Sequence, residues 1–149
     1  MNRLVRGAVA GVVATLPMTL LILAARAAGL LRTPPPAEMA KNLAHRADGD
    51  EALRSPIFEA GWLAGHVAIG AACGTAYALA RPILPASRTA NGLAYGGAVW
   101  SLGYLGLMPA LHLYPWPDED SRSRMAVMIA AHAVYGLTLA DVERRLGPP

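Results

Sequence analysis

Apolar residues dominate four stretches of the chain, and polar ones collect between them. "GAVAGVVATLPMTLLILAA", residues 7–25, carries no charge. Residues 60–80 hold His66 as their one readily ionisable side chain. "NGLAYGGAVWSLGYLGLMPALHL", 91–113, and "MAVMIAAHAVYGLTLA", 125–140, follow. A helix rising 1.5 Å per residue needs ~20 mostly apolar residues to cross ~30 Å of hydrocarbon. Four spanning helices are therefore expected, over about 5–30, 57–80, 89–113 and 122–143. The last has a short apolar core and relies on Arg122, Arg124, Arg144 and Arg145 reaching the interface. The predicted architecture is an all-α integral membrane four-helix bundle, one domain over 1–149. A soluble bundle is the poorer alternative, because helices this apolar leave no polar face for water.

The connections are short except one. "RTPPPAEMAKNLAHRADGDEALRSP", the polar connector 32–56, begins with prolines that stop the first helix. Residues 37–47 then read as a short helix with Met39, Ala40, Leu43 and Ala44 on one face. It either lies in the interface plane between the first and second spans or forms a solvated connector. "RPILPASR", 81–88, makes a tight link. "YPWPDED", 114–120, makes a turn with Trp116 at the interface and acids placed to cap the last helix. Arg3 and Arg6 ahead of an apolar run also suit a signal peptide. The run exceeds the ~7–15 residues of such a core and contains Pro17, so a retained first span is expected.

Composition agrees with lipid. Hydrophobic residues make up 54% of the chain and charged ones 15%, against about 25% charged in soluble domains. Mean hydropathy is +0.35. Lys and Arg outnumber Asp and Glu 13 to 10, but the basic residues are dispersed, so no nucleic-acid surface is expected. The expected partners are the bilayer and, within it, a second copy or another membrane protein. Cys73 is the only cysteine, which excludes an intramolecular disulfide. Four spans put both termini on one side, with Arg3, Arg6, Arg81, Arg88, Arg144 and Arg145. The other side carries Arg32, Lys41, Arg46, Arg54, Arg122 and Arg124. This even balance does not orient the chain. The shorter loops on the termini side favour cytoplasmic termini.

Small residues recur in register. The third span carries Gly92, Gly96, Val99, Gly103, Gly106 and Ala110. The first carries Gly7, Gly11, Ala14, Met18, Leu21 and Ala25, and the second Gly70 and Gly74. Lipid gives helices no hydrophobic drive to associate, so such seams mark close packing. His66 shares a helical face with Gly70, Cys73, Gly74, Tyr77 and Glu59, and so faces neighbouring helices. His66 and His132 each lie about ten residues from the span end opposite the termini, a common depth of roughly 15 Å. Tyr104 and Thr19 fall near that level. His112 lies closer to the surface on that side, with Met108 a turn deeper. Arg26 and Glu59 match in depth and could pair.

An ionisable group inside a membrane is a functional candidate. A neutral imidazole also serves as a plain hydrogen-bonding strut between helices. Two readings stand side by side: struts, or a shared site at His66 and His132 for a metal, a b-type haem or a proton relay. Cys73 reads as a small core residue. No HExxH, CxxCH, paired-carboxylate, phosphate-loop or Ser-His-Asp arrangement occurs. No catalytic residue, no enzyme activity and no cofactor is therefore the simplest expectation. Asp141 and Glu143, beside Arg144 and Arg145, read as solvated.

The order of "RGAVAGVVATLPMT", a proline-rich link with a short helix, "GHVAIGAACGTAY", "GLAYGGAVW" and "AHAVYGLTLA" resembles the YagU-like small bacterial inner-membrane proteins of unknown function. The resemblance spans nearly the whole chain. It implies a bacterial inner-membrane protein of about four helices and assigns no activity, substrate or catalytic residue. The leading functional expectation is a non-enzymatic membrane protein, self-associating or an accessory subunit. The alternatives are the histidine site and a small oligomeric transporter or channel.

Overall fold

Every regular element among the described residues, 1–47 and 56–147 of a computed structural model, is helical. The helices are α1 (Arg3–Ala27), α2 (Pro35–Ala47), α3 (Pro56–Ala80), α4 (Arg88–Leu102) and α5 (Arg122–Arg145). Asn2 caps α1 by accepting from the Leu4 amide, and Ser121 caps α5 by accepting from the Arg124 amide. The α5 cap is thus the serine rather than the acids before it. Pro35 opens α2 at a position where a missing amide costs nothing.

Among the described residues three helices are long and apolar enough to cross a membrane: α1, the stretch Ala60–Ile83 that includes most of α3, and α5. The predicted third span corrects the expectation of one continuous α-helix. α4 ends at Leu102, passes into a π-helical stretch Gly103–Leu107, and resumes as the short helix Met108–Ala110. Pro109 explains the break. It has no amide to donate, and its ring crowds the carbonyl four residues back, so the turn before it widens. The Met108 amide accordingly bonds to the Gly103 carbonyl, five residues back.

α1 packs against α3 and α5, and α5 packs against α4. Backbone meets backbone along two of these contacts. A Cβ at Gly92 would stand 2.6 Å from the Gly136 carbonyl oxygen, and one at Gly96 would strike the His132 carbonyl. Gly7 and Gly11 of α1 approach Gly74 and Gly70 of α3 in the same way. Gly136 is a partner that the spacing rule missed, because it is the only glycine in its span. Gly103 and Gly106 were expected in the α4 seam, and the structure removes them from it. A Cβ at either would meet nothing within 4 Å; both lie in the π-helical stretch, and Gly103 lines the cavity described below.

All these seams lie toward the end that holds the termini. Polar contacts lock that end. Arg6 meets Glu143 at 2.7 Å, and Arg81 approaches the other carboxylate oxygen at 3.9 Å. Glu143 is only 4% exposed, which corrects its reading as solvated. Asp141, by contrast, keeps water contact while pairing with Arg88 and Arg145. Tyr77 donates to Asn91 at 2.6 Å, the Tyr77 and Tyr95 rings meet edge to face at 5.0 Å, and Tyr95 donates to the Cys73 carbonyl.

Candidate functional site

Beyond the glycine seams a gap opens in the helix packing. Thr15 marks the transition: its hydroxyl bonds to the Gly11 carbonyl and occupies the space a Cβ at Gly70 would need. Toward the other end α3 and α4 stand apart, with α1 and α5 behind them. The gap is a chamber of about 570 Å³, lined almost wholly by apolar atoms. Its walls include Phe58, Trp62, Trp100, Met18, Met39, Met108 and Met128. Gly61, Gly65 and Ile69 of α3 line it and are also exposed, so the chamber opens sideways along that helix. At Gly61 and Gly65 a Cβ would meet nothing within 4 Å. Glycine therefore closes one end of the molecule and leaves room at the other.

His66, His132, Tyr104 and Met108 all line this chamber. Tyr135 of α5 donates to the Gly70 carbonyl of α3 at 2.7 Å, which ties the two helices just below the histidines. His66 is four residues before Gly70 and His132 three before Tyr135, and both helices run the same way, so the imidazoles sit at one level. The His132 Nδ1 lies 2.8 Å from the Met128 carbonyl. A carbonyl only accepts, so this nitrogen carries the proton and Nε2 is left with a bare lone pair. The His66 Nδ1 lies 3.3 Å from the Thr19 hydroxyl. Neither Nε2 has a hydrogen-bond partner among the described residues.

Thr19 thus belongs to the site through His66, without lining the chamber. His112 does not join it. It is exposed, sits in the left-handed region at φ 53°, and turns the chain after the short helix. Arg26 is exposed at the end of α1. Its expected pairing with Glu59 falls outside the described residues, since the Glu59 side chain is not among them. Among the described residues no three His, Cys, Asp or Glu side chains gather as a metal-binding group. Trp100 stacks on Tyr104, ring centroids 5.4 Å apart, and its buried Nε1 has no hydrogen-bond partner among the described residues.

α2 roofs the chamber. Its face of Pro36, Met39, Ala40, Leu43 and Ala44 is part of the wall. The opposite face is polar, which suits a helix lying where apolar and wet surroundings meet. Polar bonds pin it. Asn42 donates to the Leu113 carbonyl at 3.0 Å, and Arg46 donates to the carbonyls of Leu111 and His112 at 2.8 and 2.9 Å. Arg124 holds Glu38 at 2.9 Å and Asp120 at 3.1 Å. Asp120 in turn accepts from the Tyr104 hydroxyl at 2.7 Å. Burial pushes the Tyr114 phenol up, and the Arg124 guanidinium beside it acts the other way. This Glu38–Arg124–Asp120–Tyr104 chain escaped sequence reasoning. Its members lie far apart in the chain, and only the D-x-x-x-R spacing of 120 and 124 hinted at it.

The chain belongs to the family described as Family of unknown function (DUF6789), whose model matches residues 1–149. No curated protein and no solved structure matches it.

Proposed function

We propose that this member of a family without a known function is a non-enzymatic, multi-pass protein of the bacterial inner membrane that holds a lipid-soluble small molecule between α3 and α4. The chamber carries this reading. Its volume of about 570 Å³ falls within the ~300–1,000 Å³ of small-molecule and cofactor sites. Two imidazoles reach it from different helices, each with one nitrogen tied and the other unpartnered among the described residues. A strut between helices would spend both nitrogens on protein. The sideways opening lies within the spanning part of α3, so a guest soluble in the bilayer can enter without passing through water.

In this reading α4 and its extension form the fourth crossing. The backbone is helical from Arg88 to Ala110, enough at 1.5 Å per residue to cross ~30 Å. Both termini then share one side, the cytoplasmic one. Two other expectations draw less support. The glycine seams meet one another inside a single chain, so they give no reason to invoke a second copy or a partner subunit. The end with the termini is plugged by Tyr77, Asn91 and Tyr95, which favours holding a guest over passing one through.

The test is organic extraction and mass spectrometry of protein purified in mild detergent, beside Gly65→Leu, which fills the chamber without touching a seam. A guest retained by the wild type and lost from the variant supports the reading. A wild type that carries no guest beyond bulk lipid sinks it.

A further inference from the structure

We infer that the guest is a flat metallated macrocycle of the porphyrin class, held by axial ligation from His66 and His132. This rests on the chamber reading above and names its occupant. The two imidazoles stand at one level on α3 and α5. Tyr135 bridges these helices one turn away, and both imidazoles line the chamber from different helices. Ligation needs a neutral imidazole with its lone pair forward and its other nitrogen donating to an oxygen. His132 meets that condition through the Met128 carbonyl, and Thr19 supplies the oxygen beside His66. Both positioning contacts fall on Nδ1, which leaves the two Nε2 atoms for the metal. The rest of the lining is apolar and includes Phe58 and Trp100, which suits an apolar ring system.

A bare ion fits less well. Soft ligands are present, since Met18, Met39, Met108, Met128 and Cys73 also line the space. They are spread over α1, α2, α3, α5 and the short helix Met108–Ala110, around a volume far wider than one ion, and methionine serves equally as a pliable apolar lining. A chain amphiphile would fill the volume but would leave the His132 Nε2 dependent on a single donor group.

The experiment is a titration of detergent-purified protein with ferric protoporphyrin, followed by absorption spectroscopy. The wild type is expected to take up one equivalent and give the low-spin spectrum of two imidazole ligands. His66→Gly and His132→Gly should each lose it and give a high-spin spectrum, and free imidazole added to either variant should restore the low-spin form. That rescue separates lost ligation from lost folding. A wild type with no low-spin species overturns the inference, as does an unchanged spectrum in the double variant. So does bound metal without porphyrin. If extraction recovers a different lipid-soluble guest that Gly65→Leu excludes, the porphyrin falls while the chamber reading stands.

Discussion

Glu143 and Asp141 lie two residues apart on α5, yet their neighbours give them different weights. Glu143 is enclosed and paired with Arg6, so removing it strands a largely buried guanidinium. Glu143→Ala should lower stability by about 2–3 kcal/mol, somewhat below a fully buried pair because Arg6 keeps some water contact. Asp141 pairs with Arg88 and Arg145 where solvent screens the interaction, so Asp141→Ala should cost under ~0.5 kcal/mol. Unfolding of each variant by denaturant in one detergent checks the contrast, and equal losses would refute it. From the sequence the two acids look alike, because nothing local says which of them meets an arginine 137 residues away.

At the level of elements, small residues have two uses, and spacing alone does not tell them apart. Gly92 supports the α4–α5 contact, where a methyl group would stand 2.6 Å from a carbonyl oxygen. Gly92→Ala should destabilise by about 1–3 kcal/mol through overpacking. Gly106 sits in the π stretch with open space around it, so Gly106→Ala should change stability by no more than ~1 kcal/mol. A thermal melt of both variants in detergent measures the difference. α2 is a second case. Its apolar face is legible from Met39, Ala40, Leu43 and Ala44, but interface helix and free connector predict the same pattern. What decides is the set of partners, Leu113, His112 and above all Arg124. Arg124→Ala should speed hydrogen exchange across 35–47 while leaving α1 protected, and unchanged exchange in α2 would show that Arg124 does not pin it.

At the scale of the whole molecule, four crossings and three place the two termini differently. Three helices among the described residues are long and apolar enough as they stand, and the Pro109 break keeps α4 from forming one uninterrupted helix. A Cys73→Ser background permits single cysteines at Asn2, Lys41 and Leu146, probed with a membrane-impermeant thiol reagent in oriented vesicles. Four crossings make positions 2 and 146 react from one side and 41 from the other. Reaction of 2 and 146 from opposite sides would mean that α4 does not cross.

Location in lipid, the helical class and the existence of a connector helix were readable from the residues alone. They depend on local quantities: runs of apolar side chains, prolines at helix starts, and the need of every backbone amide for a partner inside the same segment. The common depth of His66 and His132 was likewise readable, since it is arithmetic on a fixed rise per residue. What needed the folded chain was the consequence of that depth. The α1–α3 and α4–α5 seams close one end, and at the other lies a chamber that no single segment encodes. Which nitrogen of His132 is free depends on a carbonyl one turn away on its own helix, but what that nitrogen faces depends on α3. The chamber, like the pairing of Arg6 with Glu143, is a relation between segments distant in the chain. It becomes definite only when packing selects one arrangement among those the pattern permits.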